Sequence, residues 1–512
     1  MNLAARFLDH NLTEGRSDAS ALICGEAHCS YGRLKDLADR TAGALRGLGV
    51  GRGDRVLLAC ADSVEFVATW FGAQRIGAIT AEVYTFLDPE AYAYFLRYTE
   101  PSVVVVDAQT LGPIRQALST LTGEHLPTVM TTGVAPELLN AGERPLETLL
   151  EQTEPVRDAV DMSADDVAIW KFTTGSTGSP KACVHPVRSA LRSFECYARD
   201  VLELNSGDLV LAVPKLFFGY ARDLVALFPF AVGATGIVFP ERSTPELIFE
   251  LIERHRPSIL VNVPTMMSAM AAHPRAADAD LSSLRLCTSA GEALPAELLR
   301  RWDHAFGVPV LDGIGSSEAY HIYISNRPGA ARPGTVGTPV PGYTARVVDE
   351  RGQRLPDGEI GTLEVTGPTI ALEYRGAPEK SAETFHGDTL RTGDLFSRDG
   401  DGYFTHHGRA DELLKVGGIF VAPSEIEHQL IGHPDVVDCA VVGHSDGGLV
   451  RPWAYVVLRE GATTTDGAGL REFLRTRLPG YKCPKTFHFI DELPRTANGK
   501  LDRRALRERT RP

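Results

Sequence analysis

Asp166-Val-Ala-Ile-Trp-Lys-Phe172 runs directly into Thr173-Thr-Gly-Ser-Thr-Gly-Ser-Pro-Lys181. The first half reads as a buried strand, rich in apolar and aromatic residues with no turn former inside it. The second half is a loop of glycines and hydroxyl residues that ends on a lysine. Thr173, Thr174, Gly175, Ser176, Thr177 and Gly178 suit an anion: glycines let the backbone come close, and N–H and hydroxyl groups surround phosphate oxygens. Lys181 adds a point charge. No Gly-Lys-Ser/Thr closes the loop, so it is not the Walker pattern. A flexible surface loop has a similar composition, but the strand directly before this one argues against that reading.

Upstream, Arg55-Val-Leu-Leu-Ala-Cys60 and Ser102-Val-Val-Val-Val-Asp107 are further short apolar runs, and Ser63 caps an apolar-periodic helix to about residue 76. This alternation predicts an α/β fold with layered, largely parallel sheets. Downstream, 345–350 and 361–367 read as shorter β elements around Pro-Gly turns. The best boundary lies near Gly408-Arg-Ala-Asp411. Beyond it, strands over 436–443 and 453–459 and one helix over 470–478 predict a compact domain of about 100 residues. The basic tail Arg503-Arg-Ala-Leu-Arg-Glu-Arg reads as a solvated helix end.

Composition narrows the partners. With 43% hydrophobic and 23% charged residues among 512, the chain is that of an ordinary globular protein. Its net charge of −14 argues against nucleic acid and anionic membrane as partners. The N-terminus lacks the apolar core of a signal peptide, and the most apolar stretch, 224–239, is short and broken by Pro229, Gly233 and Gly236. A soluble, cytoplasmic protein is expected. The eight cysteines form no Cys-x-x-Cys pair, and Cys24, His28 and Cys29 lack a second ligand pair at zinc spacing; buried, reduced thiols are expected.

Four further motifs follow the glycine loop in order: Asp312-Gly-Ile-Gly-Ser-Ser-Glu318, Arg391-Thr-Gly-Asp394, Gly408-Arg-Ala-Asp-Glu-Leu-Leu-Lys-Val-Gly-Gly418 and Pro494-Arg-Thr-Ala-Asn-Gly-Lys500. Together the five resemble the acyl-adenylate-forming (ANL) superfamily of acyl-CoA synthetases, peptide-synthetase adenylation domains and luciferases. Lys215-Leu-Phe-Phe-Gly-Tyr220, 312–324 and Asn326-Arg-Pro-Gly329 carry a closer likeness to benzoate-CoA and other aryl-CoA ligases, over nearly the whole chain.

That resemblance implies a large N-terminal α/β domain (1–408), a hinge (409–411) and a small mobile α+β domain (412–512). It implies ATP, Mg²⁺ and coenzyme A as cofactors. The acid would be activated as its adenylate and passed to the thiol of CoA, or to the phosphopantetheine arm of a carrier protein in the rival reading. A carboxylate repels the α-phosphate, so activation needs cations on both anions. By resemblance Lys500 bridges carboxylate and phosphate, and Glu318 holds Mg²⁺. Asp312, Gly313, Ile314, Gly315, Ser316 and Ser317 line the nucleotide, with Ser317 where the family usually has Thr. Gly291 and Glu292 match the adenine-side segment. Asp394 takes the ribose hydroxyls, and Arg409 contacts ribose or phosphate. Asp411 is the hinge residue, and Lys415, Gly417 and Gly418 line the pantetheine tunnel.

The acid site is expected at Phe217, Phe218, Gly219, Tyr220 and His321. Aromatic walls with a glycine gap suit one flat ring. Tyr220 stands about where amino-acid-activating domains carry an Asp for the ammonium group. Arg222 and Asp223 depart from the uncharged stretch of benzoate ligases and point to a hydroxyl or amino ring substituent. Ala182 replaces the usual Gly after Lys181. A non-catalytic nucleotide-binding relative is the rival of another class, and joint retention of Lys500, Glu318, Asp394 and Arg409 speaks against it.

Overall fold

Four consecutive valines have no polar face to offer water, so as a strand they need cover on both sides. In the computed structural model Val103–Val106 have it: each is fully buried within a seven-stranded sheet. Burying one such side chain stabilises by roughly 1.5–3 kcal/mol relative to exposing it. The structure describes residues 1–121, 126–173, 180–416, 419–446, 449–464, 466–495 and 501–509.

Across that sheet lie Arg144–Pro145, Thr128–Thr131, Val103–Val106, Arg55–Ala59, Ile79–Glu82, Val167–Thr173 and Lys181–Pro186. Only the last pair is antiparallel, as the two arms of the glycine loop, and Thr173 lies opposite Lys181. Ser63 caps the helix Val64–Arg75 by accepting from Phe66 N–H at 3.0 Å. Strand and cap thus follow the sequence reading.

A nine-stranded sheet packs beside the first. Its parallel core is Val310–Gly315, Leu286–Ser289, Ile259–Asn262, Leu209–Ala212, Thr235–Val238 and Ser20–Cys24. Antiparallel strands close both edges, including Ile322–Ser325 against Val310–Gly315. Ligands of such open sheets gather outside the carboxyl ends of the strands. Here Thr173, Ser289 and Gly315 are those ends.

A third, antiparallel sheet (Thr344–Val348, Gly361–Thr366, Thr389–Arg398, Phe385–His386 and Phe404–Arg409) leads to the chain's last quarter. There Val436–Asp446, Leu449–Leu458 and Thr486–Phe489 form a small sheet with helices Pro423–Ile431 and Gly467–Arg475. The helix 423–431 escaped the sequence reading. It is only nine residues long, though Pro423, Ile426 and Leu430 are buried at helical spacing.

The basic tail needs correcting. In the helix Arg503–Glu508, Leu506 is fully buried, and Arg503 grips both carboxylate oxygens of Glu427, the Val441 carbonyl and Glu412. Arg504 and Arg507 are the solvated part. Seven cysteines are buried, Cys24 is half-buried, and none is bonded to another. No helix among the described residues is long and apolar enough to cross a membrane.

Candidate active site

The loop residues Thr174, Gly175, Ser176, Thr177 and Gly178 lie outside the described residues, but both ends of the loop are fixed. Thr173 ends one strand and Lys181 begins the next, in register with it. Facing them is the turn after Val310–Gly315. Ser317 Oγ donates to the Phe172 carbonyl at 3.0 Å, which ties this turn to the strand feeding the loop. Its hydroxyl proton is therefore committed, and only its lone pairs are left for other contacts. Ser316 Oγ is buried without a hydrogen-bond partner. An orphaned hydroxyl is costly unless something pairs with it. A phosphate oxygen beside the loop would do so.

Glu318 is half-buried, and its Oε1 accepts from Tyr374 Oη at 2.8 Å. Among the described residues no hydrogen bond takes Oε2 and no group of three His, Cys, Asp or Glu could enclose a metal. That suits Mg²⁺, which takes one or two carboxylates and completes its shell with water and substrate phosphates.

The segment 317–320 is held carbonyl by carbonyl. His185 Nε2–H donates to Ser317 O at 2.7 Å, and Ala371 N–H to Glu318 O at 2.8 Å. Thr369 Oγ1 donates to Ala319 O at 2.6 Å, and Lys171 Nζ to Tyr320 O at 2.7 Å. Burial lowers the His185 pKa to about 3, so its ring is neutral. Tyr320 sits at φ 71° and ψ −53°, and His321 N–H donates back to Ala319 O at 2.9 Å. This is a γ-turn of the rare, strained hand.

Among the residues expected at the nucleoside, Ser289 Oγ donates to Asp312 Oδ1 at 2.8 Å between neighbouring strands. Burial raises the Asp312 carboxyl to about 8, so it is protonated at neutral pH. Gly313 and Gly315 pack against the returning strand. A Cβ on Gly315 would stand 2.5 Å from the His321 carbonyl, so only glycine fits. Glu292 Oε2 accepts from Thr265 N–H and Oγ1–H at 3.1 and 2.6 Å, and Gly291 has φ 88°. Arg409 Nη1 lies 3.4 Å from Asp394 Oδ1, and its Nε donates to Asp411 Oδ1 at 3.1 Å. The predicted ribose and hinge residues thus meet in one ion-pair chain.

The aromatic residues expected at the acid site fall into two groups. Phe217 and Phe218 (centroids 4.9 Å apart) pack with Tyr84, which stacks on the exposed Phe86. Tyr220 Oη pairs with Thr288 Oγ1 at 2.6 Å. His321 is buried among Tyr197, Tyr220 and Phe228. Burial lowers its pKa to about 3, so it is neutral. Nε2 lies 3.3 Å from the Tyr220 carbonyl and must donate to it, which leaves Nδ1 a bare acceptor. Nδ1 is buried and unpaired.

Two expectations need correction. Gly219 does not open an empty slot: a Cβ there would stand 2.6 Å from Lys171 Nζ and 2.7 Å from its Cε. Nor do Arg222 and Asp223 offer charge to a ligand. Both are fully buried and mutually paired, Arg222 with Glu82 and Asp223 with Lys171. Two cations and two anions cancel within the cluster.

Lys415 is exposed on the strand Leu414–Val416, and Asp411 sits in the short turn Ala410–Glu412. Gly417, Gly418 and Lys500 lie outside the described residues. Arg495 Nη1 comes within 3.7 Å of Glu292 Oε1, so Arg495 of the last motif reaches the segment expected to face the adenine. Sequence reasoning missed Lys171, His185, Thr369 and Tyr374. Lys171 and His185 carried a signal, as polar residues inside apolar strands that flank the loop. Thr369 and Tyr374 carried none.

The description "AMP-binding enzyme" matches residues 8–375 and "AMP-binding enzyme C-terminal domain" matches 425–500. The chain is 39% identical to a benzoate–CoA ligase of Thauera aromatica, over 99% of this chain and 95% of that one. It is 37% identical to a 4-hydroxybenzoate–CoA/benzoate–CoA ligase of Rhodopseudomonas palustris, over 99% and 94%. Its fold superposes on the anthranilate CoA ligase AuaEII in complex with anthranoyl-AMP with a TM-score of 0.94, at 36% identity over 99% and 97% of the two chains. With both family regions matched in order and the aryl-ligase likeness running end to end, the chain belongs to the AMP-binding, acyl-adenylate-forming (ANL) enzymes.

Proposed function

We propose that the protein is an AMP-forming aryl-CoA ligase. It activates a small aromatic acid with ATP to the acyl-adenylate and then forms the CoA thioester. In the first half-reaction a carboxylate oxygen attacks the α-phosphorus and pyrophosphate leaves. In the second the CoA sulfur displaces AMP from the acyl carbon. The observation that supports the reading is one turn, 316–321: Ser317 ties it to the strand that enters the glycine loop, Ser316 Oγ is buried without a partner, and His321 lies beside Tyr220. Residues expected to serve the nucleotide and the ring therefore lie on one short segment.

Asp312, protonated in its buried site, and the Gly291–Glu292 segment frame the adenine. Asp394 and Arg409 take the ribose, and Thr173 to Gly178 with Lys181 take the phosphates. Mg²⁺ on Glu318 would neutralise the departing pyrophosphate. Lys500 serves adenylation. Residues 409–411 form the hinge between 1–408 and 412–512, with Lys415, Gly417 and Gly418 facing the pantetheine arm after rotation. The bare acceptor on His321 suits a ring substituent that donates a hydrogen bond, a hydroxyl or an amino group. Hydroxybenzoates and anthranilate are therefore the lead acids, with benzoate itself beside them, in line with the relatives' names. The test is thioester formation from each acid with free CoA and with a phosphopantetheinylated carrier. CoA as the better acceptor supports the reading, and exclusive use of the carrier would replace it.

A further inference from the structure

The strained turn at Tyr320 needs something to hold it. Its carbonyl accepts from Lys171 Nζ at 2.7 Å, and the same ammonium donates to Asp223 Oδ2 at 2.6 Å. The ammonium also lies 3.5 Å above the Tyr320 ring. All three faces of the ammonium are therefore engaged. Tyr320 Oη donates to Asp223 Oδ1 at 3.3 Å, and Arg222 clamps Asp223 Oδ1 through Nε and Nη2 at 3.0 and 2.7 Å. Arg222 in turn bonds Glu82, which accepts from Trp70 Nε1–H at 2.8 Å. Every charge in the cluster is paired, so it holds its shape rather than binding a charged ligand.

Its geometry explains Gly219. Lys171 Cδ, Cε and Nζ occupy the space that a Cβ there would take, at 3.1, 2.7 and 2.6 Å. A flexible lysine normally swings aside, but this one is pinned at its tip by two bonds. Gly219 opens the helix that carries Tyr220, and Tyr220 receives the His321 Nε2–H bond.

We propose that Lys171 is a positioning residue for the acid site: locked between Asp223 and the Tyr320 carbonyl, it holds the strained turn that sets His321, and it requires glycine at 219. This rests on the aryl-acid reading for the identity of the acid, but not for the clamp itself.

The experiment uses the full-length enzyme and the acid it activates fastest in a panel from benzoate to acetate. Lys171→Met removes the ammonium at similar length. Because it leaves Asp223 short of a partner, the charge-balanced Lys171→Met/Asp223→Asn pair is measured beside it. In both, KM for the acid in adenylate formation should rise about tenfold or more while KM for ATP stays within about twofold, the sign of lost acid-site geometry rather than general damage. Lys171→Arg, which keeps a donor and charge, should recover part of the loss. Gly219→Ala should reproduce the acid defect in the wild-type background but add little in Lys171→Ala, where the space is open. Unchanged acid KM in the charge-balanced variant, or equal loss for acid and ATP, overturns the positioning role. Additive Gly219→Ala and Lys171→Ala effects overturn the coupling. If the fastest acid is not aromatic, the substrate reading fails while these comparisons still decide the clamp.

Discussion

Replacing His321 by Leu removes one buried acceptor and little volume. The ring is neutral, its Nε2–H is committed to Tyr220 O, and Nδ1 has no hydrogen-bond partner. Leaving a buried acceptor unpaired costs about 1–3 kcal/mol, and a substrate that pairs with it recovers that amount. At 1.4 kcal/mol per factor of ten, a ring hydroxyl or amino group in reach should gain about 5- to 150-fold in kcat/KM over unsubstituted benzoate. In His321→Leu that preference should collapse, with benzoate itself little affected. Stability should change by about 1–2 kcal/mol, because the Leu removes the unpaired Nδ1 but also takes the Nε2–H donor from the Tyr220 carbonyl. The assay is AMP formation with benzoate, anthranilate and the three hydroxybenzoates, for wild type and variant. If the wild type favours benzoate over every donor-bearing acid, or if the variant keeps the wild-type ratio, Nδ1 does not face the ring and the reasoning is wrong.

Other outcomes follow from the same site. Lys500→Ala should abolish adenylate formation but leave thioester formation from supplied acyl-AMP largely intact; equal loss in both would contradict the two-conformation assignment. Asp411→Pro fixes φ near −65° at the hinge, so adenylation should persist while thioester formation collapses, and normal overall turnover would move the hinge elsewhere. His185, held near pKa 3 by burial, is neutral in the fold while the unfolded chain takes a proton below about pH 6.5. Its contribution is therefore complete above that pH and is lost as pH falls. The stability advantage of wild type over His185→Gln should shrink by about 1.4 kcal/mol per pH unit from 6.5 towards 3. A pH-independent difference in chemical denaturation would show that His185 is not buried as a neutral ring.

The sheets were legible because parallel strands buried on both faces leave unbroken apolar runs such as Val103–Val106, and because Ser63 marks a helix start. The helix Pro423–Ile431 was not: one buried stripe of three residues is too short a periodic signal. At the site, the meeting of the Asp394 and Arg409 motifs was readable. Residues that act through the third dimension were not. Gly219 reads as a gap in sequence, yet 48 positions upstream Lys171 fills it. Arg222 and Asp223 read as charges near a ligand, yet pairing with Glu82 and Lys171 turns them inward. Pairing depends on which strands become neighbours, and local pattern does not encode that.

The central claim is tested most directly by a panel of acids with ATP, Mg²⁺ and CoA, read by AMP formation. The panel runs from acetate through benzoate, hydroxybenzoates and anthranilate to long-chain fatty acids. The account predicts that small monocyclic aromatic acids give the fastest AMP formation, with acyl-CoA in equal yield. A preference for long-chain fatty acids, or no AMP with any acid, would contradict it.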